Sequence, residues 1–253
     1  TKYIGTIESN FVGNHGDGSG NINGGAINNN NSDAKIGSIK GDFINNYGDA
    51  KVGSSSTRGG AIYNGSGAEI GSIVGDFIGN YAYTRDQFAY AGAIYNYQHA
   101  VIKSIDGNFI GNHAFGDTGW RALGGAIYND DSTIERISGD FIGNYVKGAR
   151  VVGAAIYNQS GTITIATTEN KKEILFENNK LFKGSQTASL NSIDFGSTNA
   201  TVNFHAISDS VINVRDPMRS MQNNETLIDN NGGIINKTGA GSLALWGNNS
   251  EYT

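Results

Sequence analysis

The apolar residues of this chain fall into one phrase that keeps returning. Residues 59–81 read GGAIYNGSGAEIGSIVGDFIGNY, and the phrase recurs as GGAINNNNSDAKIGSIKGDFINNY, AGAIYNYQHAVIKSIDGNFIGNH and GGAIYNDDSTIERISGDFIGNY. The shared frame is Ile-x-x-Ile-x-x-x-Phe: Ile4/Ile7/Phe11, Ile36/Ile39/Phe43, Ile70/Ile73/Phe77, Ile102/Ile105/Phe109 and Ile134/Ile137/Phe141. Gly-Ala-Ile recurs at Ile27, Ile62, Ile94 and Ile127, and as GAAI at Ile156. Phe11, Phe43, Phe77, Phe109, Phe141 and Phe176 follow one another at steps of 32, 34, 32, 32 and 35 residues. Such a period belongs to a helical repeat or to a coil of strands. No stretch carries an apolar stripe every three or four residues, and the units are glycine-rich and β-branched, so strands are predicted. Each unit splits into three short candidates, GAIYN, AEIGSI and GDFIGNY. Stacked copies make a parallel β-solenoid with like residues about 4.8 Å apart along its axis.

In that arrangement Ile62, Ile70, Ile73 and Phe77 point inward. Asn80 and its equivalents Asn14, Asn46, Asn112, Asn144 and Asn179 sit at a corner, bonded to backbone or to each other. The glycines before Ile62 serve another corner, where tight packing or unusual dihedrals are needed. A single coil cannot close its own core, so the repeated wording has a structural cause. From about Ile163 the period blurs, but GTITIA, NSIDFG, ATVNFHA and SVINV still alternate as strands do. The prediction is one elongated all-β domain, regular over residues 1–165 and continuing over 166–253 in plainer coils.

The paired Gly-Gly-Ala-Ile and Phe-x-x-Asn motifs resemble the polymorphic outer-membrane proteins and related passenger domains of bacterial autotransporters. INKTGAGSLALWGNNSEYT, from Ile235, looks like the passenger-associated transport repeat, usually worded Lys-x-Gly-x-Gly-x-Leu-x-Leu-x-Gly-x-Asn. SVINVRDPM, around Asp216, is similar to a segment found upstream of that repeat. The resemblance covers nearly the whole chain. It implies a right-handed parallel β-helix, exported through a C-terminal barrel and displayed at the bacterial cell surface or secreted. There are departures. The third and fifth Gly-Gly-Ala motifs read AGA and GAA, the signal peptide and barrel are missing, and the cysteines many such proteins carry are absent. The chain begins mid-coil at Ile4 and Ile7 and reads as an excised fragment.

Composition narrows the chemistry. The net charge of −5 is spread over interspersed acids and bases, which gives no footprint for nucleic acid, and no apolar run is long enough for a membrane span. The lack of cysteine excludes disulfides and thiolate metal sites. Asp42, Asp76 and Asp140 form a series interrupted by Asn108, with Asp42 and Asp76 one coil apart, and read as solvated turn residues or as a calcium site. Two such charges repel by only about 1 kcal/mol in water, so no cation is needed to explain them. NDDSTIER brings Asp130, Asp131, Glu135 and Arg136 together, as a charged loop edge or as acids for glycosidase work. His15 and His113 take the place of Tyr47, Tyr81 and Tyr145, as members of an outer ladder. No nucleophile elbow or phosphate cradle occurs. The Asn-x-Ser triplet at Asn64 is expected by chance in so Asn-rich a chain. No catalytic residue, metal or cofactor is expected.

Binding has better candidates. With Ile62 inward, Tyr63 faces out and stacks with Tyr95, Tyr128 and Tyr157, either as a ligand platform or to stabilise the sheet. Asn28 replaces this Tyr in the first unit, as suits an exposed site. Between each Phe-x-x-Asn and the next Gly-Ala-Ile lie inserts that do not copy one another: AYTRDQFAYA, AFGDTGWRAL and VKGARVV. They hold Arg85, Phe88, Tyr90, Phe115, Trp120, Arg121 and Arg150, residue types that dominate binding hot spots. Two readings stand: the inserts present a ligand edge on a rigid scaffold, or they fold back over the outward Ile78, Ile110 and Ile142. The expected function is adhesion to a host cell-surface glycan or protein. A passive stalk is the second expectation, and a carbohydrate-active β-helix enzyme the third.

Overall fold

A computed structural model describes residues 2–51, 55–117, 120–222, 226–227 and 232–246. One coil contains five strand segments: Ile62–Gly65, Glu69–Val74, Phe77–Ile78, Tyr81–Thr84 and Phe88–Tyr90. Each pairs in parallel with its copies in the neighbouring coils. Ile62 lies between Ile27 and Ile94, Ile70 between Ile36 and Ile102, Phe77 between Phe43 and Phe109, and Tyr81 between Tyr47 and His113. The result is a single elongated all-β solenoid, whose described strands form sheets of eight, eight, eight, seven and five strands. We name these sheets by their content: Asn sheet (Ile62–Gly65), long sheet (Glu69–Val74), Phe sheet (Phe77–Ile78), ring sheet (Tyr81–Thr84) and insert sheet (Phe88–Tyr90). Among the described strands only Ser189–Leu190 and Thr226–Leu227 pair antiparallel.

The expected three strands per coil are therefore five. GDFIGNY holds two of them, broken at Gly79 (φ 63°) and the Asn80 corner, and the insert supplies another. Ile62, Ile70, Ile73 and Phe77 are fully buried, and their copies form the continuous main core. The core Phe rings stack along the axis with centroids 4.6 to 4.8 Å apart.

Two asparagine ladders tie the coils together. At the first, Asn112 Oδ1 accepts from the Asn80 backbone N–H (3.0 Å) and from Asn80 Nδ2 (2.9 Å). Its own Nδ2 donates to the Phe77 carbonyl (2.8 Å) and to Asn144 Oδ1 (3.1 Å). This ladder ends on buried Asp216, whose Oδ2 accepts from the Asn179 backbone N–H (2.9 Å) and Nδ2 (2.8 Å). The second ladder, Asn29, Asn64, Asn96, Asn129 and Asn158, links Nδ2 to Oδ1 at 2.8 to 3.0 Å. Its Asn64 is fully buried, so the triplet there is closed to glycosylation in the folded chain.

The aspartates before each Phe are not simply solvated. Asp42 Oδ1 accepts from the Asp76 N–H (2.9 Å), Asp76 Oδ1 from the Asn108 N–H (2.7 Å), and Asn108 Oδ1 from the Asp140 N–H (2.9 Å). Asn and Asp perform this job equally, which explains the interruption. The Gly-Gly corner has a different cause. A Cβ on Gly60 would stand 2.2 Å from the Gly92 carbonyl and 2.4 Å from that of Tyr81. The AGA variant places Ala91 at φ 55°, where Gly59 has 72°.

That close approach marks a waist. Beyond it the ring and insert sheets pack face to face as a second, thinner lobe, here called the flange. Its core is Ala82, Ala89, Ala114, Ala122, Val146, Val151, Ala154 and Leu181. In the first coils small meets large: a Cβ on Gly48 would come within 2.3 Å of Thr57 Cγ2, and one on Gly16 within 2.7 Å of Ile22 Cγ2. The long sheet runs on past residue 165 through Ala200–His205 to Ile234–Thr238. The segment from Ile235 thus begins another coil, with Ile235 beside Val202 and Leu243 beside Ile212; residues 247–253 of that motif lie outside the described residues.

Candidate functional site

The inserts form the five-stranded sheet of the flange and do not lie over Ile78, Ile110 and Ile142; Ile110 keeps 37% of its surface. The inward insert row, with Thr57, Ala89, Ala122 and Val151, packs against the ring sheet, and the large aromatic and Arg residues point outward. Phe88, Arg121 and Arg150 form one outward row in register, with the Arg121 guanidinium 5.6 Å above the Phe88 ring. Tyr90 lies in the next outward row with Arg58, Leu123 and Val152. Half-buried Trp120 stands at the edge of this face, its backbone N–H bonded to the Asp117 carbonyl (3.1 Å). Phe115 is on the opposite, ring-sheet face between Tyr83 and Lys147, and exposed Arg85 is at the turn joining the two layers. The seven candidates thus divide between two faces and a tip.

The Tyr63 ladder needs a larger correction. It points away from the main core, yet Tyr63, Tyr95, Tyr128 and Tyr157 are buried, while Asn28 stays exposed. The outer face of the insert sheet folds over the outer face of the Asn sheet, and Tyr90, Leu123 and Val152 pack onto the tyrosines. Tyr90 stacks on Tyr95 at 5.4 Å and Tyr128 at 5.2 Å, and Tyr128 on Tyr157 at 5.1 Å. Phe88 stacks on Tyr90 at 5.4 Å, so the row of Phe88, Arg121 and Arg150 borders this ring-filled angle on the same face. Burial pushes the Tyr90 phenol up to about 12, those of Tyr95 and Tyr157 higher still, and that of Tyr128 well above its ordinary value. At neutral pH these phenols are protonated, so they are hydrogen-bond donors and not bases.

The NDDSTIER acids diverge. Asp130, whose carboxyl is raised chiefly by burial, accepts from Ser160 Oγ (3.1 Å) and the Tyr128 hydroxyl (3.5 Å). Asp131 pairs with His99 at 3.2 Å, Arg136 grips Asp106 at 2.6 and 2.7 Å, and Glu135 is exposed on the long sheet. This run brings no two carboxyls to one cleft. Among the described residues no group of three His, Cys, Asp or Glu is arranged to hold a metal ion.

His15 and His113 take their predicted places on the outer ring-sheet face. His15, Tyr47, Tyr81, His113 and Tyr145 stack at 4.4 to 5.2 Å. Burial pulls the His113 imidazole below its ordinary value. The flange and the second Asn ladder were missed in the sequence. Their signal is the small residue after each corner aromatic, as in Tyr81-Ala82 and His113-Ala114, and the Asn after each Gly-Ala-Ile-Tyr.

No family model, curated protein or solved structure matches this chain. The parallel β-solenoid is consistent with autotransporter-like passenger domains in general. Among the described residues no helix is long and apolar enough to cross a membrane.

Proposed function

We propose that this chain is a non-catalytic adhesin, part of an exported bacterial surface protein, whose flange binds a host cell-surface glycan or protein. One observation carries the reading: the flange holds its strands in register over a buried core, while its outward row presents Phe88, Arg121 and Arg150 side by side. A rigid scaffold that displays aromatic and Arg side chains on one face is the arrangement of recognition surfaces. The motif resemblance supports export and surface display.

A passive stalk is the second reading, favoured by how completely the repeated polar rows are used in stacking. It predicts no ligand and tolerance of changes on the flange. The deciding test is binding of the chain to a glycan array and to cultured host cells, beside a Phe88→Ala/Trp120→Ala/Arg121→Ala variant of unchanged circular dichroism. Binding lost in the variant alone supports the adhesin. Binding by neither, or equally by both, removes the flange from the account.

A further inference from the structure

The outer face of the ring sheet ends differently from how it begins. Its ring stack passes from His15 through Tyr145, whose ring lies 4.4 Å from that of His113 at an angle of 6°. On the next coil the register partner of Tyr145 is Lys180, so the parallel stack stops. Phe182 meets Tyr145 edge-on, at 5.7 Å and 80°. Beyond the last stacked ring, Tyr145 lines a shallow cleft together with Gly143, Lys147, Asn178, Lys180 and Phe182, among others. None of its lining residues is acidic. A Cβ built on Gly143 meets nothing within 4 Å, so the rim is open.

Charge singles out this end of the face. Lys147 and Lys180 are exposed; Lys147 lies 5.2 Å over the Phe115 ring, and neither lysine has a carboxylate partner among the described residues. Many other cations of the fold are paired, as Lys51 is with Asp17 at 2.8 Å and Arg215 with Glu177 at 2.5 Å. The other end of the same ladder carries Asp17 and Asp49 in the row that Lys147 occupies here.

We infer that this cleft is a subsite for an anionic pyranose, a uronate or a sulfated sugar. Its apolar face lies on Tyr145 and its anionic group between Lys147 and Lys180. A pyranose needs one aromatic face for its C–H surface, and an ammonium serves an anion as a point charge without fixed geometry. A nucleic acid strand following the ladder would run onto Asp49 and Asp17, so the ligand is short or is held locally. The inference rests on the adhesin reading for its ligand class, but it places this subsite on the face of the flange opposite Phe88 and Arg121.

The test is a nuclear magnetic resonance titration of the whole isotope-labelled chain. The probes are a short oligogalacturonide, a short heparin-derived oligosaccharide, an uncharged cello-oligosaccharide and a single-stranded DNA oligonucleotide. The expected result is binding of one or both acidic sugars, with shifts at Tyr145 and Phe182, about tenfold weaker in Lys147→Gln/Lys180→Gln and weakened by added salt. Phe88→Ala/Arg121→Ala, on the opposite face of the flange, should leave this acidic-sugar binding unchanged. Acidic-sugar binding lost in the Phe88/Arg121 variant but not in the lysine variant would overturn the subsite and leave the adhesin reading standing. No binding of either acidic sugar, or binding of DNA in their place, overturns the subsite as well. The two acidic arms tell carboxylate from sulfate.

Discussion

At the scale of single residues, the stability of this protein depends on amides and carboxyls that have no freedom to be anything else. Asn112→Ala orphans the buried Asn80 N–H and the Phe77 carbonyl, which Asn112 satisfies at 3.0 and 2.8 Å. At about 1–3 kcal/mol for each of these two unsatisfied groups, the variant should lose roughly 2–6 kcal/mol in chemical denaturation. Asp76→Asn is the control. Its Oδ1 accepts the Asn108 N–H at 2.7 Å, a role that Asn108 itself fills one coil on, so the change should stay within about 0.5 kcal/mol. Asp216 adds a pH dependence. Burial raises its carboxyl above the ordinary 3.8, and the bonds from Asn179 and Asn178 only partly offset this. A carboxyl raised on folding contributes stability that is fully present below the unfolded value and is lost as pH rises through the folded one. Stability measured upward from about pH 4 should therefore fall by more in the natural chain than in Asp216→Asn. Equal slopes would remove Asp216 as their source.

At the scale of elements, the flange is the part that sequence alone left hidden. The body was legible because the same large residues recur: Ile70, Ile73 and Phe77 name their own ladders, and Asn80 names its corner. The flange core is written in Gly and Ala, residues that also mean loop, and its facing rows exchange size between coils. The tyrosines misled for a related reason. Alternation puts Tyr63 on the outer side of the Asn sheet, but only the tertiary fold reveals that Tyr90 and Leu123 cover that side. Exchange of size between facing rows is testable. Gly48→Ala would bring a methyl to within 2.3 Å of Thr57 Cγ2, a clash that should cost about 1–3 kcal/mol. Thr57→Ser removes that methyl and keeps the hydroxyl that donates to the Tyr83 carbonyl at 2.7 Å. The double variant should recover most of the loss, and the recovery is the coupling energy of the two rows. Additive losses would mean that Gly48 is needed for its backbone and not for its size.

At the scale of the whole molecule, each coil touches only its neighbours, so stability is close to a sum of coil and interface terms. Removing residues 93–125 joins Gly92 to Ala126, equivalent points of successive coils. Phe77 then meets Phe141, Asn80 meets Asn144, Ala82 meets Val146 and Tyr81 meets Tyr145, each a pairing of residue types that the main core, the Asn ladder, the flange core or the ring stack can hold. The shortened chain should remain folded, with unchanged β dichroism and a solenoid shorter by about 4.8 Å in solution scattering. Removing only 93–108 joins Gly92 to Phe109 and puts the following segments in the wrong sheets; that chain should not fold. The first deletion also separates the two proposed surfaces. It takes away Phe115, Trp120 and Arg121 and leaves Tyr145, Lys147, Lys180 and Phe182 in place. Adhesion through the flange should then be lost while an acidic sugar still binds at the end of the ring stack. Loss of both together would mean that a single surface spans the coils, and the two sites would have to be merged.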